Sequence, residues 1–274
     1  MTSLFNYNTL KVSLKKETRS LVVELNRPEN QNAINSEMIF ELESLLSWCA
    51  QRIEIHSILL SSTSDIFSCG LDKEEAKNLP EEKLIKNMSK LQKLIYSMFF
   101  LPQTIVADLK DGASGLGAEL ALGADLRLAR PGAKIAFNHL SRGITPACGG
   151  VGFLGALVPK SFAKNWLLSG RAIASEALTA SGLILELYTS TDTASEILNS
   201  IATQSPVARI QTKRSFLETI MADLDRALSF ESQFSTATLA TGDWKKAMND
   251  EKNFMSAMAM AQVLKGESSE AQAN

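Results

Sequence analysis

Two glycine-bearing loops are the part of this 274-residue sequence with the clearest capacity for chemistry: Phe67-Ser-Cys-Gly-Leu-Asp72 and Gly112-Ala-Ser-Gly-Leu-Gly-Ala-Glu119. Glycine lets the backbone approach a ligand closely and present its N–H groups. Two such groups converging from separate loops would form an oxyanion hole, which donates hydrogen bonds to the negative charge that develops on a carbonyl oxygen. The same glycines would equally serve tight turns and helix packing. The second loop does not fit the dinucleotide fingerprint and GxxxxGK[ST] occurs nowhere, so neither type of phosphate-binding turn is supported. The cysteines Cys49, Cys69 and Cys148 are odd in number and lack metal-type spacing. That fits free thiols in a reducing compartment, with no disulfide framework and no metal site.

The elements that must position these loops can be read from periodicity. Leu10-Lys-Val-Ser-Leu and Ser20-Leu-Val-Val-Glu-Leu25 are β-type runs across a polar turn and read as a hairpin. Ile34, Met38, Ile39, Leu42, Leu45 and Leu46 then recur at helical spacing, with Asn35 or Ser36 placed to cap. A buried strand follows at Ser57–Ser61 and runs into the first glycine loop. A Lys/Leu-rich helix from about Glu82 to Phe100 precedes the strand Thr104–Leu109, which enters the second glycine loop. A helix from Ala118 to about Leu122 leads to strands at Asp125–Ala129 and Lys134–Phe137. Strands alternating with helices at this spacing predict an α/β fold with largely parallel pairing, because parallel strands need crossover connections. Beyond residue 160 the strand signal is confined to Ile184–Leu187, and from Ile201 the chain reads as helices, with Phe216, Ile220, Leu224 and Leu228 on one stripe. A boundary is expected near residue 200, and the polar stretch 265–274 is expected to be a disordered tail.

Composition narrows the classes further. The chain is 45% apolar and 21% charged, with 28 Lys and Arg against 30 Asp and Glu. A net charge of -2 offers no basic excess to release counterions from phosphates, so no nucleic-acid partner is expected. No run reaches the roughly 18–20 apolar residues that span a bilayer, so no membrane partner is expected either. The N-terminus shows no leader pattern, and the chain is read as cytoplasmic.

Five motifs, in order along nearly the whole chain, carry a resemblance. Leu25-Asn-Arg-Pro-Glu-Asn-Gln-Asn-Ala-Ile-Asn35 is similar to an LNRPxxxNAx signature, and Phe67–Asp72 to an FxxGxD loop. Glu119-Leu-Ala-Leu-Gly-Ala-Asp-Leu-Arg-Leu-Ala129 is similar to ELAxxxDxxxA, and Gly143-Ile-Thr-Pro-Ala-Cys-Gly-Gly150 to GxxPxxGG. Leu168-Ser-Gly-Arg171 with Glu176 and Gly182-Leu-Ile184 resembles a later LxGxxxxxExxxxxGLV stretch. Together they resemble the crotonase superfamily, the enoyl-CoA hydratase/isomerase family. The resemblance implies a spiral core of repeated ββα units over 1–200, a C-terminal helical trimerisation section over 201–264, and a homotrimer or homohexamer. It also implies an acyl-CoA substrate, with coenzyme A as part of the thioester and no permanently bound cofactor.

Carried over position by position, the resemblance places the oxyanion-hole N–H groups on Leu71 and Leu116, the latter where glycine is common in the family. It assigns coenzyme contacts to Asn30, Ala33, Ser68, Cys69 and Gly70, and offers Lys73, one position from the usual lysine, to the phosphates. Glu119 falls on the first catalytic glutamate, able to move a proton at the β-carbon if its environment tunes it. The second glutamate of hydratases lies in AKFGxPEIxxG; here Ala133-Lys-Ile-Ala-Phe-Asn-His-Leu-Ser-Arg-Gly143 puts His139 in its place. Histidine titrates near neutrality, so His139 could act as acid or base beside Glu119. It could instead serve decarboxylation or hydrolysis, or hydrogen-bond in a site that has lost its chemistry. Asn138 and Arg142 add polar capacity nearby or face solvent; His56, before a buried strand, is read as structural. Thr241-Gly-Asp-Trp-Lys-Lys-Ala-Met248 resembles the start of TxDxxEGxxAF, with Lys246 and Ala247 where glutamate and glycine are expected. Three readings follow: a hydratase/dehydratase-like lyase or isomerase, a crotonase-fold decarboxylase or hydrolase using His139, and a non-catalytic CoA-binding homologue. An NAD-dependent oxidoreductase is disfavoured, since no strand leads into GxGxxG with an acidic residue about 20 positions on.

Overall fold

The computed structural model describes residues 5–190 and 192–249. The expected hairpin forms from β1 (Leu10–Lys15) and β2 (Ser20–Leu25), antiparallel with Leu10 opposite Leu25. Strands β3 (Ser57–Ser62), β4 (Thr104–Asp108), β6 (Leu126–Ala129) and β9 (Glu186–Leu187) extend it by parallel pairing into a six-stranded sheet of order β1-β2-β3-β4-β6-β9. A second sheet, β5-β7-β8, is built from β5 (Gly112–Ser114), β7 (Lys134–Ala136) and β8 (Ala172–Ala174). Strand β5 is thus the first part of the second glycine loop, turned off the main sheet as the chain leaves β4, and the rest of that loop opens α4.

Helix α1 (Ser36–Ala50) begins where the Asn35 side chain accepts the Met38 N–H, and its Met38, Leu42, Leu45 and Cys49 are buried against the sheet. Burial of each large apolar side chain contributes roughly 1.5–3 kcal/mol. Helix α2 (Lys73–Asn78) has no apolar periodicity and was not expected; it forms because Asp72 caps it by accepting the Glu75 N–H at 3.0 Å. Helix α3 (Glu81–Met98) and the short α4 (Leu116–Leu122) follow, the latter starting two residues before the expected Ala118. Then come α5 (Gly152–Leu157), α6 (Lys160–Ser169), α7 (Ser175–Ala180) and α8 (Thr193–Thr203). Helix α8 covers a small second core of Val106, Leu128, Tyr188, Leu198 and Ile201.

The long α9 (Pro206–Ala240) returns across the molecule, with Tyr96 Oη of α3 donating to Asp225 at 2.7 Å and Gln92 Nε2 donating to the Leu228 carbonyl. Its buried face is Leu217, Leu224, Leu228, Glu231, Ser235 and Leu239. This corrects the expected stripe: Phe216 is 73% exposed. A step of four residues turns the helix about 40° too far, so Phe216 lies about 120° from Leu228. Helix α10 (Asp243–Asn249) seats the buried Trp244 against the Gly143 turn. Residues 250–264 of the expected C-terminal section and the expected tail, 265–274, lie outside the described residues. Among the described residues no helix is long and apolar enough to cross a membrane.

Candidate active site

The parallel strands place their carboxyl ends on one edge of the main sheet, and both glycine loops leave from there, the first after β3 and the second after β4. Open α/β sheets bind ligands at that edge. Two short bridges, Ile66 with Lys110 and Ser68 with Ala113, tie the two loop segments together, and a third, Ile34 with Leu71, joins the first loop to the segment before α1. Gly70 sits at φ +97, where a Cβ would lie 2.6 Å from the Ser114 carbonyl oxygen and 3.2 Å from the Leu116 amide nitrogen. Gly117 is equally constrained, since its Cβ would meet the Ser68 side chain at 2.6 Å. Only glycine at these two positions lets the loops touch. Among the described residues neither the Leu71 N–H nor the Leu116 N–H has an acceptor. Leu116 opens α4, so its amide has no partner within the helix. Both residues line a small apolar cavity of about 10 Å³ with Ile34, Leu84 and Met88.

Glu119 is fully buried in the first turn of α4. Its Oε1 accepts the N–H groups of Cys148 (3.1 Å) and Gly150 (2.9 Å), and its Oε2 lies 3.1 Å from His139 Nε2. His139 is 1% exposed, and among the described residues its Nδ1 has no hydrogen-bond partner. The two residues that the motif alignment paired are therefore in direct contact: one carboxylate oxygen is fixed by two amides, and the other is coupled to an imidazole. The model described as enoyl-CoA hydratase/isomerase matches residues 16–255. The chain belongs to that family. It is 29% identical over 241 residues to the short-chain-enoyl-CoA hydratase of Clostridium acetobutylicum, covering 86% of this chain and 92% of that one. It is 26% identical over 234 residues to the 2,3-dehydroadipyl-CoA hydratase of Escherichia coli, covering 84% and 91%. Among solved structures, an enoyl-CoA hydratase/isomerase from Mycobacterium paratuberculosis superposes with a TM-score of 0.83 at 19% identity, covering 89% of this chain and 99% of that one. This likeness shows the crotonase fold.

The family's first signature works here as scaffold. Arg27 Nη1 pairs with Asp72 Oδ2 at 2.7 Å and also donates to the Ala33 carbonyl. The buried Asn32 accepts the Arg27 N–H at 2.8 Å and donates to Ser64. The 27–33 loop is thereby clamped against the first glycine loop. Asn30 and Cys69 lie side by side, the Cys69 thiol donating to the Asn30 carbonyl at 3.5 Å and the Cys69 N–H to Gln31 at 3.0 Å. Gly70 bonds to the same loop, its carbonyl accepting the Ile34 N–H. Lys73 stands half-buried at the start of α2. Ala33 and Ser68 are turned inward: Ser68 is fully buried, its hydroxyl donating to the Asn32 carbonyl and accepting the Gly70 N–H. The structure brings Asn30, Cys69 and Gly70 to one place, and leaves no Ser68 side chain at the surface.

Asn138 and Arg142 do not face solvent. Both are buried, and both would lie 3.4 Å from a Cβ on Gly115, beside the Leu116 amide. Burial lowers the Arg142 pKa, with nearby Cys69 working against that shift. Burial raises the Cys69 thiol, and raises Cys148 well above the ordinary range with help from Glu119 and Glu231. Neither cysteine is an activated nucleophile. His56 lies away from the site, 3.4 Å from Arg19, and its pKa is lowered by burial and then by Arg209 and Arg19. Among the described residues no group of three or more His, Cys, Asp or Glu could hold a metal ion.

Sequence reasoning missed Glu231. It is buried on α9, where its Oε1 accepts the Gly149 N–H at 3.1 Å and the Val151 N–H at 3.4 Å, and its Oε2 accepts the Gly152 N–H at 3.4 Å. The available signal was a glutamate three residues after Leu228, on the apolar stripe of an amphipathic helix.

Proposed function

We propose that this protein is an acyl-CoA hydratase/dehydratase-like enzyme in which Leu71 and Leu116 stabilise a thioester enolate and Glu119 with His139 moves the protons. The observation that carries the reading is the approach of the two glycine loops, which leaves two unpaired amides at one apolar pocket next to a buried carboxylate–imidazole pair. In the hydration direction, Glu119 takes a proton from water as the oxygen adds to the β-carbon. The alkene electrons shift through the α-carbon onto the thioester oxygen, where two N–H groups meet the developing charge. Imidazolium His139 then delivers a proton to the α-carbon as the enolate collapses. Glu119 ends protonated and His139 neutral, and proton transfer within the pair restores the starting state. Coenzyme A enters as part of the substrate, with its adenine and pantetheine along Asn30–Ala33 and Cys69–Gly70 and its phosphates near Lys73; no permanently bound cofactor is required.

Assembly as a homotrimer or homohexamer is part of the same reading. It is supported by the exposed aromatic face of α9, where Phe216, Phe230 and Phe234 are at least half exposed and the last two stack. A second reading, decarboxylation or thioester hydrolysis centred on His139, is favoured by the buried, unpartnered Nδ1. The deciding experiment is a panel of crotonyl-CoA, a malonyl-type thioester and a 3-hydroxyacyl thioester, assayed with wild type, Glu119→Gln and His139→Ala. Hydration lost in both variants supports the first reading. Carbon dioxide or free thiol without hydration supports the second, and acyl-CoA binding without any turnover leaves a binding protein.

A further inference from the structure

The turn from Cys148 to Gly152 donates five consecutive backbone N–H groups to two buried carboxylates. Cys148 and Gly150 donate to Glu119, while Gly149, Val151 and Gly152 donate to Glu231. Successive amides of this kind form an anion-binding concavity. Here one concavity is divided between a residue of α4 and one of α9. Among the described residues Glu231 makes no ion pair. The groups around it are Glu119 from α4, Cys148 on the turn, and the neutral Gln92 of α3, which accepts from Ser232; His139 stands behind Glu119. Two carboxylates that share one dry site do not both ionise readily.

We propose that Glu231 is a positioning residue for Glu119: it holds a proton and secures the turn that orients the Glu119 carboxylate. Burial first, and then the Glu119 charge, raise the Glu231 carboxyl to about 8. The Gly149, Val151 and Gly152 amides work against that rise without cancelling it.

The sign of the pH dependence follows from linkage. A carboxyl raised from 4.5 to about 8 on folding binds more protons in the folded state between those values, so folding stability falls as pH rises through that window. Two variants separate proton-holding from mere support. Glu231→Gln keeps an acceptor for the turn but cannot ionise, and Glu231→Ala removes both. The expected results are a melting temperature that declines from pH 5 to pH 8 more steeply in wild type than in Glu231→Gln, and a lower melting temperature throughout in Glu231→Ala. Infrared titration of wild type should show a protonated carboxyl band lost near pH 8 and absent from Glu231→Gln. With a turned-over acyl-CoA, log kcat of wild type should break near pH 8, that break should be missing from Glu231→Gln, and KM should stay within threefold.

Matching pH profiles and matching stability slopes in wild type and Glu231→Gln would overturn the proposal and leave Glu231 as a structural cap. The role rests on the acyl-CoA reading only in its kinetic arm; if no acyl-CoA is turned over, that reading fails and the melting and infrared arms still decide this one. Should Glu231→Gln fail to fold, wild type alone decides, because absence of any carboxyl that titrates above pH 7 contradicts a proton held on Glu231.

Discussion

Replacing Gly70 with alanine tests whether the two glycine loops must touch. At φ +97 an alanine adopts a backbone conformation that costs roughly 1–2 kcal/mol. Its Cβ would also sit 2.6 Å from the Ser114 carbonyl oxygen, inside the 3.0 Å that real Cβ contacts keep, and the obstacle is backbone rather than a flexible side chain. Relief requires the loops to part, at an overpacking cost of roughly 1–3 kcal/mol. The total destabilisation is therefore about 2–5 kcal/mol. Parting also moves the Leu116 amide, 3.2 Å from the same Cβ, away from the Leu71 amide. Loss of one oxyanion donor lowers kcat by about 10²–10³. Gly132→Ala is the matched control, because Gly132 has φ +83 with nothing within 4 Å of a Cβ. It should show only the backbone cost of roughly 1–2 kcal/mol in urea unfolding, with unchanged kcat. Steady-state kinetics and urea unfolding of both variants provide the readout. A Gly70→Ala protein with wild-type kcat and a destabilisation no greater than that of Gly132→Ala would refute the idea that loop contact builds the site.

Other outcomes follow from the same geometry. Glu119→Gln should lower kcat by about 10²–10⁴ while the melting temperature changes little, since the amide carbonyl can still accept the Cys148 and Gly150 N–H groups; a stopped-flow hydration assay with parallel calorimetry checks both. Met88→Trp should fill the cavity beside Leu71 and Leu116 and weaken acyl-CoA binding about tenfold relative to free coenzyme A, by titration calorimetry. Phe230→Ser with Phe234→Ser should shift the protein toward smaller species in sedimentation velocity with little loss of secondary structure, because both rings are at least half exposed in the single chain.

Much of this arrangement was legible from local pattern. The β-type runs, the Asn35 cap and the two glycine loops announce themselves because each depends on neighbours within a few residues. The placing of Glu119 and His139 at one site was implied by the family resemblance, and the two side chains meet at 3.1 Å. What escaped depends on distant partners. Glu231 meets its amides only after α9 has crossed the molecule, and nothing adjacent in sequence marks that meeting. Helix α2 escaped because capping by Asp72, rather than an apolar stripe, defines it. The inward turn of Ser68 and the burial of Asn138 and Arg142 follow from loop closure, which residue type alone does not specify. Near-neutral composition also gains meaning in the structure: the nearest cations to the first glycine loop are individual residues such as Arg27, Lys73 and Arg142 rather than a basic face.

The central claim is that two backbone amides and one carboxylate–imidazole pair act on a single thioester. A crystal structure with a non-hydrolysable acyl-CoA analogue tests it most directly. The account predicts a thioester oxygen within about 3.2 Å of both the Leu71 and Leu116 nitrogens, with Glu119 Oε2 and His139 facing the α- and β-carbons. An analogue whose carbonyl contacts neither amide, with the Glu119–His139 pair still sealed from the acyl chain, would contradict it.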